Sequence, residues 1–511
     1  MGSPATAPGT GSAPAPAPAP AAAPAAVRAA APASAVLADT GEGTEDFLRA
    51  YGRVSRAFYD GSLTPGALGR WRAGRLARVL EHVRARSPFY RRHLAGVDLA
   101  AVTPGDLSRL PFTTKEDLRR EMFGVLSGPL SEARIYYETN GTTGAATPCP
   151  RGARDIVTSN AAVEESWRRL FASRFGARMP VVGLMGPSEL YAFGDVFGAV
   201  AQSLGACHVK IWPESPRVGF AKALRLIEEL GVEVVVCAPA VCLSLAKAAL
   251  HYGYDLSRLP VRLFLVLGEI CTPQLAANVA AVWPGAVVRP ALYGSQEALC
   301  IATGAQDGRL YLSVPNYLAE VIDPDSGTVL GTGEGGAVAG ELVLTMLVDG
   351  IKPLVRYRTG DLVRLSPAPP GVPLPGPVVE VTGRVADRIR LGRALVGPGE
   401  LEAAVLEGVR GCLGYQLVVG RAPGGGDEIT VRVDLLPSAG DRGAVSAAIG
   451  GRLEALTGAV VRVVVDGALD PVTQTGSFVS WKAARVCDLR QAPDGAAEAA
   501  RKAAHRYAIT T

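Results

Sequence analysis

The sequence predicts an α/β protein, with a large N-terminal domain of mostly parallel sheet plus a β-rich subdomain and a small α/β domain behind it. Three observations carry this reading. Residues 179–292 alternate short apolar runs with longer amphipathic ones: 181–184 with 193–204, 208–211 with 218–230, 232–237 with 241–250, and 263–267 with 274–282. Buried strands of that length separated by helices of about ten residues are βαβ units, which build a parallel sheet. A second apolar region, residues 340–347 and 363–365, lacks such helices and reads as strand. Finally, 511 residues exceed what one core of ordinary size can organise. After residue 386 a further α/β pattern follows, with helices at 401–409 and 445–456 and strands at 412–419, 428–435 and 460–465.

Taken in order, residues 1–36 are almost entirely Ala, Pro, Gly, Ser and Thr. Repeated Pro blocks helix formation and small side chains bury little area, so residues 1–45 read as a disordered tail, neither signal peptide nor domain. Order is expected from near Asp46, where Phe47, Leu48, Tyr51 and Val54 recur at helical spacing. Residues 71–94 continue as helix, with Leu76, Val79, Leu80 and Val83 in one apolar stripe, and Pro88 marks a break. Within Pro111-Phe112-Thr113-Thr114-Lys115-Glu116-Asp117-Leu118, a Thr followed three residues on by an acid is a helix start. Residues 155–175 read as an amphipathic helix.

Composition excludes several classes. Hydrophobic residues make up 48% and charged residues 20%, as in soluble globular proteins. A net charge of +4, from 52 basic and 48 acidic residues without blocks, argues for neither nucleic acid nor a membrane surface. The most apolar long run, 232–250, is interrupted by Glu233, Pro239 and Lys247, which a membrane span would not readily tolerate. The eight cysteines are scattered with no CxxC, so free thiols and a reduced, cytoplasmic setting are expected; Cys271 and Cys300 alone do not make a zinc site.

Four stretches carry chemistry. Asn140-Gly141-Thr142-Thr143-Gly144-Ala145-Ala146-Thr147 has glycines that let the backbone turn tightly and hydroxyls that donate, so it reads as a phosphate-wrapping loop or a surface turn. The strand ends of the parallel region carry Met185-Gly186-Pro187-Ser188, Ala238-Pro239-Ala240, Gly268-Glu269 and Tyr293-Gly294-Ser295-Gln296-Glu297. Ligands of such sheets collect at the carboxyl ends of strands. Glu297 is either a solvated acid at a helix start or a ligand for Mg²⁺, which prefers carboxylate and phosphate oxygens. In Arg356-Tyr357-Arg358-Thr359-Gly360-Asp361, Gly360 and Asp361 are expected at a turn between strands, with Asp361 pointing out of a sheet edge. That acid either pairs with Arg358 at the surface or accepts two adjacent ribose hydroxyls.

These stretches occur in one order together with Thr382-Gly383-Arg384-Val385-Ala386-Asp387 and Trp481-Lys482-Ala483-Ala484-Arg485-Val486. In that order the chain resembles the adenylate-forming superfamily of acyl-CoA synthetases, peptide-synthetase adenylation domains and luciferases. Ser87-Pro88-Phe89-Tyr90 and the 110–115 stretch are similar to its phenylacetate–CoA ligase branch. The resemblance implies that Thr142, Thr143 and Gly144 face the ATP phosphates and that Tyr293 and Gly294 flank the adenine. Glu297 would bind Mg²⁺, Asp361 would hold the ribose with Arg384 nearby, and Lys482 would approach the α-phosphate and the substrate carboxylate. It further implies that Tyr191, Phe193, Phe197, Ala238 and Gly268 surround the acyl group, where aromatic and small residues suit a flat ring. A hinge at 383–387 would separate a large ATP- and substrate-binding domain, 46–385, from a small mobile domain, 386–511. Relatives of this kind are often homodimers.

Three departures bear on naming the product. Ala145 stands where the family often has Lys, Ala386 where a hinge acid is usual, and Leu391-Gly392-Arg393-Ala394 where the branch usually has Arg-Gly. Arg393 is expected to narrow or recharge the path of the CoA arm. Three readings follow. In the first, an acid is activated as its acyl-AMP and transferred to CoA. In the second, the acyl group passes directly to an amine, with nitrite activation for diazotisation as a variant. In the third, the protein binds nucleotide but catalyses weakly.

Overall fold

The computed structural model describes residues 1–2, 43–139, 146–466, 486–488 and 490. Helix α1 (Thr44–Tyr59) starts where the helical spacing begins, and its Phe47, Tyr51 and Val54 are buried against Trp71 of α2 (Pro65–Arg86). Thr64 caps α2 with Pro65 in its first turn. Pro88 both ends α2 and opens α3 (Pro88–His93), with Ser87 accepting the Tyr90 N–H as its cap. Of the two Thr–acid pairs in the 111–118 stretch, Thr114 and Asp117 form the reciprocal capping box of α4 (Lys115–Glu121). Helix α5 (Ala153–Phe175) buries Trp167 and Phe171. Beneath the N-terminal helices, the buried Asp349 carboxylate pairs with Arg75 and Arg154.

The expected βαβ region is present. Strands β1 (Val181–Met185), β2 (His208–Lys210), β3 (Val232–Cys237), β4 (Leu263–Val266) and β5 (Val287–Pro290) form one sheet in the order β2-β1-β3-β4-β5, parallel throughout. Helices α6 (Phe193–Ser203), α7 (Gly219–Leu230), α8 (Pro239–His251) and α9 (Pro273–Val282) alternate with these strands. The 232–250 run is thus a buried strand followed by a buried helix. Among the described residues no helix is long and apolar enough to cross a membrane.

The β-rich subdomain is one antiparallel sheet. It contains β6 (Leu292–Ser295), β7 (Leu299–Gly304), β8 (Leu310–Leu312), β9 (Tyr317–Ile322), β10 (Val329–Gly331), β11 (Val338–Met346), β12 (Tyr357–Ser366) and β13 (Val378–Arg384), in the order β10-β9-β11-β12-β13-β8-β7-β6. Here one expectation is corrected. Gly360 and Asp361 are not in a turn at a sheet edge; they lie inside the ten-residue strand β12, between β11 and β13. The register of β11 and β12 slips between Glu341 and Val343, so the backbone bulges opposite Leu342, and Gly360 takes φ +74° there. Glycine signals a bulge as readily as a turn, and the flanking apolar residues do not distinguish them.

The C-terminal unit begins after a single helical turn at Val385–Asp387. It comprises the hairpin β14 (Ile389–Leu391) and β15 (Ala394–Val396), helices α10 (Pro398–Leu406) and α11 (Arg442–Thr457), and strands β16 (Cys412–Arg421), β17 (Asp427–Leu435), β18 (Val460–Asp466) and β19 (Val486–Asp488). These last strands form a mixed sheet, β18-β17-β16-β19. The unit is docked on α8 and α9. Leu401, Val405, Cys412, Leu413 and Leu417 share one apolar core with Val241, Leu245, Leu275 and Trp283. Around it, Asn278 Nδ2 donates to the Cys412 carbonyl at 2.7 Å and its Oδ1 accepts the Cys412 N–H at 2.9 Å. Thr272 donates its hydroxyl to Glu402 at 2.8 Å, and Lys247 pairs with Asp434.

Candidate active site

The carboxyl ends of the parallel strands lie side by side, because Met185 is in register with Cys237 and Cys237 with Val266. Beyond them, the Leu267 N–H donates to the Cys237 carbonyl at 3.1 Å and the Ala291 N–H to the Val266 carbonyl at 2.8 Å. The chain then passes directly from β5 into β6, which brings the 293–297 stretch to the same end. The Ala240 N–H donates to the Glu269 carboxylate at 3.2 Å, tying the Ala238 and Gly268 ends together.

Asp361 is the centre of one cluster. Its Oδ2 accepts from the Tyr293 hydroxyl at 2.7 Å and its Oδ1 from Arg384 Nε at 3.0 Å. Asp361 and Arg384 are register partners across β12 and β13, whereas Tyr293 sits on the far edge strand β6. The sheet must therefore curl for the two to meet. Arg358 does not pair with Asp361; its guanidinium is held by Glu341, and the neighbouring Arg356 by Glu320. Desolvation, and then the adjacent Asp361 charge, push the Tyr293 phenol well above its ordinary range, so it stays a hydrogen-bond donor. A carboxylate has about four lone-pair sites. Tyr293 and Arg384 use one on each oxygen, which leaves both oxygens able to accept again.

Glu297 anchors the second cluster and is buried. It is neither solvated nor at a helix start, since it lies in the tight connection between β6 and β7. Burial alone would raise its carboxyl pKa, but Lys115 and then Lys352 outweigh it and hold Glu297 below the usual carboxylate range. Lys115 Nζ stands 3.2 Å from Glu297 Oε1. The bulge that opens this connection needs glycine: at Gly294 any Cβ would overlap the Leu299 carbonyl. An ionised, buried carboxylate flanked by cations is a hard oxygen donor that fits Mg²⁺ held jointly with phosphate oxygens. Among the described residues no cluster of three or more His, Cys, Asp and Glu could hold a metal by itself.

Of the expected acyl-pocket residues, Gly268 is exposed, Tyr191 is partly exposed, Phe193 is nearly covered, and Phe197 and Ala238 are fully buried. The Phe193 ring lies against Gly186 at the β1 end. Phe197 is stacked on Trp167 with centroids 5.3 Å apart, which makes it a packing residue between α5 and α6. Arg393 is exposed at the tip of the β14–β15 hairpin, where Asp427 accepts the Gly392 N–H at 2.7 Å. Thr142, Thr143, Gly144, Ala145 and Lys482 lie outside the described residues.

Sequence reasoning missed Arg151 and Lys352, and read Lys115 only as part of a helix start. All three lie around Glu297. The available signal was a charge set among prolines and apolar residues, Pro148-Cys149-Pro150-Arg151 and Ile351-Lys352-Pro353-Leu354, where a solvated loop is the usual reading.

The Asp361 cluster, the buried Glu297 and the aligned strand ends together make up the candidate site. The family model described as AMP-binding enzyme matches residues 70–345, more than half of the chain, and the chain belongs to that family. Curated relatives put it in the phenylacetate–CoA ligase-like branch. The phenylacetate-coenzyme A ligase of Pseudomonas putida is 29% identical over 382 residues, covering 70% of this chain and 81% of that protein. The phenylacetate-coenzyme A ligase of Thermus thermophilus is 29% identical over 389 residues, covering 71% and 80%. Among solved structures, 2-hydroxyisobutyryl-CoA ligase in complex with 2-HIB-AMP superposes with a TM-score of 0.69 at 19% identity, covering 88% of this chain and 93% of that one. That likeness establishes the shared fold, C-terminal unit included.

Proposed function

We propose that this protein is an ATP-dependent, AMP-forming ligase that activates an aromatic or related carboxylic acid as its acyl-AMP, releases pyrophosphate, and passes the acyl group to CoA. The observation that carries the reading is the Asp361 carboxylate, fixed by Tyr293 and Arg384 yet with acceptor capacity left on both oxygens. Adjacent hydroxyls of a ribose match it. The family and the phenylacetate-coenzyme A ligase relatives support the acid and the thiol acceptor.

In this reading Glu297 would hold Mg²⁺, which would supply neutralisation of phosphate charge. The need for cations is plain. Two unit charges of like sign 4 Å apart cost about 4 kcal/mol in a protein-surface dielectric, and an acid carboxylate must approach an anionic α-phosphate. Lys115 contributes one fixed positive charge beside Glu297. Lys482 contributes another at the α-phosphate, and Thr142, Thr143 and Gly144 cradle the phosphates. Tyr191, Phe193 and Gly268 line the acyl pocket, with Phe197 and Ala238 as its backing. The division into domains 46–385 and 386–511, the transfer to CoA, a homodimer and a cytoplasmic setting belong to the same proposal.

The test is pyrophosphate release by purified protein with ATP, Mg²⁺ and a panel of aromatic acids, each run with CoA and with an aryl amine. Acid-dependent release giving a thioester is expected. Release that ignores CoA and yields an amide would replace the acceptor, and no acid-dependent release would sink the reading. Glu297→Gln should lower the rate about 100-fold or more at fixed Mg²⁺.

A further inference from the structure

The segment that leaves the Gly/Thr loop is bolted into the protein by buried charges that the proposed chemistry does not use. Arg151 is completely buried. Its Nη2 donates to the carbonyl of Gln296 and, at 3.0 Å, to that of Glu297. Its Nε and Nη1 have no hydrogen-bond partner among the described residues. Lys352, 1% exposed, donates from Nζ to the Pro148 carbonyl at 2.7 Å and lies 3.4 Å from Cys149 Sγ. Asp155 joins the same two segments, its Oδ2 accepting the N–H of Gly152 at 2.8 Å and of Ile351 at 3.1 Å.

A fully desolvated guanidinium is costly to keep unless its geometry is needed, and an apolar residue would fill the same space with less penalty. Here one nitrogen of the rigid guanidinium plane, Nη2, donates to two consecutive carbonyls of the connection between β6 and β7. A lysine would put a shorter-reaching, flexible ammonium in place of that rigid plane and would hold the two carbonyls less firmly. Fixing the backbone at residues 296 and 297 fixes where the Glu297 carboxylate points, and the same side chain anchors the segment just past the Gly/Thr loop.

Resting on the adenylate-forming reading, we propose that Arg151, assisted by Lys352, is a positioning residue. It holds the Glu297 turn and the exit of the Gly/Thr loop in one register, so that the metal–triphosphate end of the nucleotide is recognised as a unit. The ribose end, Asp361 on β12 with Arg384 on β13 and Tyr293 on β6, is fixed by its own side-chain hydrogen bonds.

Titration calorimetry of the full chain with AMP and, separately, with Mg²⁺ and a non-hydrolysable ATP analogue tests this. Arg151→Lys should weaken binding of the metal–triphosphate about 10- to 100-fold, as expected for groups that orient a metal ligand, while AMP affinity stays within about twofold. Lys352→Met, an uncharged side chain of similar length, should show the same split in smaller measure and guards against misfolding of the first variant. Equal weakening of both ligands, or of neither, in folded variants overturns the positioning role alone. If the wild-type protein binds neither ligand, the functional reading falls first and this inference with it.

Discussion

Replacing Asp361 by Asn tests the ribose cluster most directly, since the side chain keeps its shape and loses only its charge and one acceptor. Two contacts change. The Arg384 pair, 3.0 Å long, involves a side chain that is 53% exposed, so screening leaves it worth about 0.5 kcal/mol. The Tyr293 hydroxyl donates to a charge at 2.7 Å in a largely desolvated setting, a bond worth about 1.5–3 kcal/mol. Asn retains one acceptor and turns an amide toward the other donor. The expected loss is therefore about 2 kcal/mol in urea unfolding. Tyr293→Phe should cost about 1.5 kcal/mol, and the double variant should fall short of the sum by about 1.5 kcal/mol, because both remove the same bond. For AMP, losing a charged acceptor facing two hydroxyls should raise Kd about 10- to 100-fold by calorimetry. An Asp361→Asn protein with the expected stability loss but wild-type AMP affinity would refute the reasoning and leave Asp361 a structural strut.

Other outcomes follow from packing and charge. Asp349→Asn strips the counter-charge from Arg75, only 2% exposed, and should destabilise by about 3–5 kcal/mol in denaturant titration with no change in AMP affinity. Phe197→Ala should lose about 3–5 kcal/mol through the cavity left beside Trp167, with the KM for the acid changed less than by Phe193→Ala. Alkaline pH should destabilise the fold. Burial pushes the phenols of Tyr51, Tyr59, Tyr317 and Tyr357 up, and that of Tyr90 up to about 12. The unfolded chain releases these protons from about pH 10, and the folded one holds them longer. The native state thus binds more protons in this window, so stability is full below pH 10 and falls toward pH 12. Unfolding midpoints across that range, followed with tyrosinate absorbance, check the sign.

The parallel sheet was legible because strand–helix alternation is a local pattern of period and length. Asp361 was legible as the acid that matters, but not its setting. A glycine between apolar runs reads equally as turn or bulge, and only the pairing of β11 with β12 decides. Its partner Tyr293 comes from a strand four places away in the sheet, a contact made by curling that no spacing encodes. Arg151 and Lys352 were illegible for a related reason. Isolated charges near prolines are usually solvated, and what buries these is the convergence of segments about 150 to 200 residues apart. Phe197 matched the aromatic character of a pocket wall, yet stacks inside; helical spacing places a residue on a face without saying what lies opposite.

The way the C-terminal unit meets α8 and α9 bears on how heat takes the molecule apart. Leu401, Leu413 and Leu417 complete an interior whose other half is Leu245, Leu275 and Trp283, so melting either side strands the apolar surface of the other in water. At about 1.5–3 kcal/mol for each large side chain exposed, neither half survives the loss of its neighbour for long. A chain of two units joined this way should absorb heat in one peak, with calorimetric and van't Hoff enthalpies close to each other, and neither half should give a soluble product when expressed alone.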